Sequence, residues 1–265
     1  MDEPKLDAHM LREARAALIT IRMHTDEQDG RLARRPDPDG FRIDVDLEHA
    51  QREAERIERL LAALRRRHDL SRHEYTRVIR IVPASETFAH PILTIGHRFA
   101  GSEDLLLSTY LHEQMHWYLW QLGTPEVDPV APFFDDLVRR YPQAPIALPD
   151  GARGYEATYL HLVVNWLEIA VASEYIGRAR AVAVAEAATS YRWIYRTVLN
   201  DWDLLGELYE RHGLVPIRSA QDLAAENATS RRITGARRRT RAAGRPTAPP
   251  RSRPPPRGRG DKPAG

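Results

Sequence analysis

Residues 102–122 constrain this chain most, because they make a helix that is apolar almost all round and yet holds three ionisable side chains in its middle. Leu105, Leu106, Leu107, Tyr110, Leu111, Met115, Trp117, Tyr118, Leu119 and Trp120 surround His112, Glu113 and His116. A helix that is apolar on every side is buried. His112, Glu113 and His116 must therefore find partners inside a core, since burying unpaired charge costs several kcal/mol.

The helix has its own boundaries. Ser102 precedes Glu103 and Asp104, neither Pro nor Gly interrupts the run to Leu122, and Gly123 follows. A capping hydroxyl, acidic residues in the first turn and a terminal glycine are start and stop signals. Within it, residues i and i+4 lie about 5 to 6 Å apart on one face. Two imidazoles so placed can reach one zinc ion through bonds of about 2 Å. Glu113, one residue round from His112, can then take a proton from a zinc-bound water whose pKa the metal lowers to roughly 7.

A second apolar helix is expected over residues 155–176. At about 100° per residue, Thr158, His161, Asn165 and Glu168 fall on one narrow polar seam among Leu160, Leu162, Val163, Val164, Trp166, Leu167, Ile169, Ala170 and Val171. A polar seam on an apolar cylinder has to face something polar and buried. The metal-binding face of the first helix is the simplest such partner, with the seam supplying a third ligand.

The segment Thr109-Tyr110-Leu111-His112-Glu113-Gln114-Met115-His116-Trp117-Tyr118 resembles the zincin metallopeptidases, and specifically the gluzincins, in which a glutamate on a later helix completes the zinc site. The resemblance covers about residues 77–177. It implies His112 and His116 as zinc ligands, Glu113 as general base, and Glu168 as third ligand, with His161 on the same seam as the alternative. It also implies a peptide or protein substrate, bound by strand addition beside the zinc, where residues 92–97 would be the edge. An ordinary core strand is the other reading of that segment. The metzincin pattern is absent, since the positions it needs as Gly and His are Leu119 and Leu122. Tyr155, Tyr159, Tyr191, Tyr195 and His97 are candidate donors to an oxyanion.

Two strands are expected, at residues 76–82 and 92–99, and residues 26–40 read as a polar loop. Amphipathic helices are expected at 6–24 and 46–68. The latter ends in Arg65-Arg66-Arg67, where cations suit the helix dipole. Residues 123–154 carry six prolines and one short amphipathic piece, 133–141; they make either a lid over the site or a surface crossover. Helices are expected again at 181–199 and 201–212. The fold class is thus α+β and mainly helical: a small β-sheet, then the helix bearing the motif, then further helices.

The net charge of +2 hides an asymmetry. Residues 231–265 carry +11 and residues 1–230 carry −9. The tail is rich in Arg, Pro and Gly and lacks the apolar side chains a core needs, so one domain over 1–225 and a disordered basic tail over 226–265 are expected. Such a tail can contact nucleic acid through phosphates or fold back on the acidic body. The preference for 37 Arg over two Lys also fits the codon bias of a GC-rich genome. Cysteine is absent, which excludes disulfides and thiolate ligands. No apolar run reaches membrane-spanning length and Met1-Asp2-Glu3-Pro4-Lys5 has no signal-peptide character, so a cytoplasmic chain with no membrane partner is expected.

The function expected is that of a zinc metallohydrolase, a peptidase of the HExxH type. Two non-catalytic arrangements compete with it. In one, His161 and Glu168 both bind a structural zinc while the tail binds nucleic acid or a partner protein. In the other, Asn165, Glu168 and His161 satisfy the motif by hydrogen bonding without metal.

Overall fold

A computed structural model describes residues 32–36, 42–46, 51–96, 102–122 and 131–229. The expected helix at 6–24 and the Arg-rich stretch from residue 230 onward lie outside them. The chain divides into two compact units, Met1–Ala224 and Ala225–Gly265. Residues 220–229 are helical, so 226–229 belong to a helix rather than to the tail expected there.

The fold is α+β and mainly helical. Strands β1 (Leu32–Pro36), β2 (Arg42–Asp46), β3 (Val78–Ile81) and β4 (Leu93–Ile95) form one sheet in the order β1-β2-β3-β4. The first pair is antiparallel and the others parallel. Ile43 and Ile79, Val45 and Ile81, Ile79 and Leu93, and Ile81 and Ile95 are register partners. All six are buried, which gives the sheet one apolar face. On its other face Asp44, Arg80 and Thr94 make a buried polar row. Arg42 donates twice to Asp44, at 3.2 and 2.7 Å.

β1 and β2 correct the sequence reading, which made 26–40 a loop and began a helix at Asp46. The helix α1 runs over Gln51–Arg67 instead. Its buried residues Ala54, Ile57, Leu61 and Leu64 recur at three- and four-residue spacing, and Arg65, Arg66 and Arg67 occupy its last turn.

Helix α2 (Glu103–Leu122) is capped as expected: Ser102 Oγ accepts from the Leu105 N–H at 3.3 Å. Gln114, at the centre of the motif, ties the helix to the chain just before β3. Its side chain accepts from the Thr76 N–H and donates to the Thr76 carbonyl, both at 3.0 Å, and also donates to Tyr110. Tyr110 in turn donates to Glu74, which accepts from Arg65 of α1. The last turn of α1 and the middle of α2 are thereby tied to the same segment, residues 74–76.

Helix α3 (Ala131–Arg140) packs through Phe133 and Leu137. Helix α4 (Tyr155–Ile176) has the expected bounds and ends at Gly177, whose φ of 82° is the left-handed conformation glycine adopts freely. The region expected as one helix at 181–199 is two, α5 (Arg178–Glu186) and α6 (Arg192–Asn200): the first ends at the cap residue Ala187, and Tyr191, at φ 58°, caps the start of the second. Helix α7 (Trp202–Arg211) stacks Trp202 on Trp166 of α4 with centroids 4.5 Å apart. Gly206 lies under that indole, where a Cβ would stand 3.3 Å from the ring. No helix among the described residues is long and apolar enough to cross a membrane.

Candidate metal centre

α2 and α4 run antiparallel against each other, since Ser108 and His112 meet Glu168 while His116 meets His161. This packing brings three histidines together. Ligand nitrogens of His112, His116 and His161 all lie within 4.8 Å of one another. Their ring centroids form a near-equilateral triangle with sides of 5.1, 5.3 and 5.2 Å.

The proton positions follow from the partners. His161 Nδ1 lies 2.7 Å from the Ala157 carbonyl, which can only accept, so Nδ1 carries the proton and Nε2 a lone pair. His112 Nδ1 donates to Glu168 Oε2 at 2.9 Å, leaving its Nε2 free in the same way. Burial, together with the charge of His112, pushes His161 down to about 3 and His116 well below the ordinary histidine range. Burial also opposes charge on His112, but the hydrogen bond and charge of Glu168 and the charge of Glu113 outweigh it and raise its pKa.

The group is chemically suited to a cation. When His112 is neutral, its Nε2 and that of His161 both carry lone pairs within this group, and a cation among the three nitrogens would relieve their repulsion. Three nitrogens about 2 Å from a tetrahedral zinc would be roughly 3.3 Å apart, inside the observed limit. The donor set, all imidazole without cysteine, is one that zinc accepts with a fourth position left open.

Glu168, which the resemblance implied as third ligand, stands behind His112 rather than among the three histidines. Its Oε1 accepts from Ser108, and its Oε2 accepts from His112 Nδ1 and from the Tyr195 hydroxyl, each at 2.9 Å. The alternative, His161, is the residue that lies together with His112 and His116. Seven residues separate His161 from Glu168 along one face, about 10 Å, so the two cannot serve one ion equally.

Glu113 is only 5% exposed and makes no hydrogen bond or ion pair with any described residue. Burial, with the Glu168 charge adding and the His112 charge opposing, pushes its carboxyl up to about 7. Among the oxyanion candidates, Tyr195 is bound to Glu168, and Tyr159 donates to the Tyr141 carbonyl. Tyr155 packs on Tyr159, and His97 lies outside the described residues. Tyr191 lies beside the histidines, its ring centroid 4.4 Å from that of His161 and 6.4 Å from that of His112. A left-handed tyrosine costs about 1 to 3 kcal/mol, and such strain clusters at functional sites.

Sequence reasoning missed Ser108 and Tyr195 as partners of Glu168. Ser108 was within reach of it, because it precedes His112 by four residues and so shares its face. No protein-family model, curated protein or solved structure matches this chain.

Proposed function

We propose that this chain is a zinc-dependent hydrolase that cleaves a peptide bond, with His112, His116 and His161 as the metal ligands and Glu113 as general base. The observation that carries the reading is the group of three clustered imidazoles, with the buried carboxylate of Glu113 close to one of them, His112. Zinc held there supplies a Lewis acid that polarises a carbonyl and makes water a better nucleophile near neutral pH.

The chain's own groups do the rest. Glu113, with a carboxyl near 7, takes the proton from the attacking water and returns it to the leaving amine. Glu168 keeps His112 in the tautomer whose Nε2 faces the other two histidines, and Ser108 and Tyr195 hold Glu168. Tyr191, whose ring packs against His161, is the candidate hydroxyl donor to the carbonyl oxygen. A peptide bond is favoured as target by the likeness of residues 109–118 to the zincin peptidases. A closed structural site is disfavoured, since the bonds to Glu168 leave only three converging ligands among the described residues.

Elemental analysis of the purified chain, with hydrolysis assays on a peptide library, tests the reading. About one zinc per chain is expected, with little in His116→Ala. Glu113→Gln should keep zinc and fold but lose activity by a factor of about 10² to 10⁴. A chain that takes up no zinc, or a Glu113→Gln variant that hydrolyses normally, would overturn it.

A further inference from the structure

Resting on the hydrolase reading, we propose that the site recognises its peptide through bulky apolar side chains next to the scissile bond, received on Phe88, Trp120, Ile146 and Leu148, and not by adding the peptide as a strand to β4.

β4 is the last strand of the described sheet, and its outer side is already used. Thr94 exchanges both backbone hydrogen bonds with Phe88, at 2.8 and 3.1 Å. The Gly96 N–H donates to Thr87 Oγ1 at 2.9 Å. The returning chain is so close that a Cβ at Gly96 would stand 2.0 Å from the Ser85 carbonyl oxygen. Strand addition needs free N–H and C=O groups along an edge. Here the chain's own residues 85–88 occupy them, so recognition passes to side chains.

Four large apolar side chains are exposed among the described residues, by 37 to 50%, and all four flank one end of the α2–α4 pair. Because these helices are antiparallel, the end of α2 and the start of α4 lie together, beyond the histidines. Trp120 is one turn past His116 on the same face, about 6 Å along the axis. His90 packs at a tilt against Trp117 and Trp120, with centroids 4.5 and 5.3 Å away, and the Trp117 indole N–H donates to the Ala89 carbonyl at 2.9 Å, which brings the neighbouring Phe88 to this end of α2. Ile146 and Leu148 come from the loop folded on the first turn of α4. There the Gly154 N–H donates to the Ile146 carbonyl at 3.0 Å, and Thr158 donates to the Pro145 carbonyl. An ion pair between Arg153 and Glu86, at 3.4 Å, links the two loops.

The 145–154 loop also reaches Tyr191, since the Arg192 N–H donates to the Pro149 carbonyl at 2.9 Å. Exposed apolar side chains thus stand on both the α2 and the α4 side of this end of the helix pair. Exposed apolar groups clustered beside polar chemistry mark a binding surface. An extended peptide crossing the histidines would lay its flanking side chains on them.

Two measurements on the full zinc-loaded chain test this. The first compares kcat/KM for quenched fluorescent peptides that differ at one position, Leu, Phe or Ile against Ser or Asp. A preference of about tenfold or more for the apolar residues is expected, falling below about threefold in Trp120→Ser with Ile146→Ser, mainly through KM and with zinc content unchanged. The second measures binding of the same peptides to Glu113→Gln by fluorescence anisotropy, which needs no turnover. Cleavage without apolar preference would overturn this proposal and leave the hydrolase reading standing. Apolar-dependent binding that the double variant weakens, with no cleavage by the wild type, would support the surface and sink the hydrolase reading. Neither cleavage nor apolar-dependent binding would sink both.

Discussion

The carboxylate of Glu168 accepts hydrogen bonds from Ser108, His112 and Tyr195, and a carboxylate so occupied positions an imidazole rather than holding an ion. Partners of this kind alter metal affinity by about 10- to 100-fold when removed. Glu168→Gln and Glu168→Ala should therefore weaken zinc binding by about that factor without abolishing it, as read by competition with a chromogenic chelator. Complete loss of zinc in both would return Glu168 to the ligand set, and unchanged affinity would remove its positioning role. His112, Glu113 and His116 were legible in the sequence because i and i+4 on one helix need no tertiary information. The choice between His161 and Glu168 was not legible, because both lie on one stripe. Only the axial offset between α2 and α4 decides which of them is level with His116.

Among the elements, α2 is held by Gln114, whose amide satisfies both the N–H and the C=O of Thr76 at the entry to β3. Gln114→Leu keeps the volume but strands two buried backbone groups, at a cost of about 2 to 4 kcal/mol. Thermal unfolding should begin on the order of 10 °C lower; an unchanged Tm would mean that the clamp is dispensable. Long elements such as α2 and α4 were readable because their composition is continuous and their ends carry capping signals. β2 was not, because Arg42-Ile43-Asp44-Val45-Asp46 puts charged residues on a face that a solitary strand would give to solvent. Pairing with β3 buries that face, and the Arg42–Asp44 bonds offset the charge. The break between α5 and α6 was likewise hidden, since no glycine or proline marks the left-handed residue, Tyr191.

Across the whole molecule, stability should fall on the acid side in part through His73. This residue is fully buried, with Nδ1 2.8 Å from the Tyr175 hydroxyl and Nε2 without a partner. Burial, with the Arg72 charge adding, pushes its pKa down to about 4 from an ordinary 6.5. The unfolded chain therefore binds the proton first. The contribution of His73 is present above pH 6.5 and declines as pH falls towards 4, by about 3 kcal/mol in all. Urea unfolding between pH 4.5 and 7.5 should show a shallower acid limb in His73→Gln, and parallel limbs would refute the assignment. Ending the chain after Thr229 should leave hydrolysis of a small peptide intact, whereas cutting before the buried Leu223 should lower Tm.

The sequence by itself determined the two apolar helices, the spacing of His112 and His116, the lone carboxylate between them, and the mainly helical α+β class. Each of these follows from local periodicity and from the cost of burying charge. Tertiary structure decided the third histidine, the partners of Glu168, the closed edge of β4 and the burial of the Asp44–Arg80–Thr94 row. These depend on the register between strands and the offset between helices, which packing sets over the whole core and no short stretch of sequence encodes.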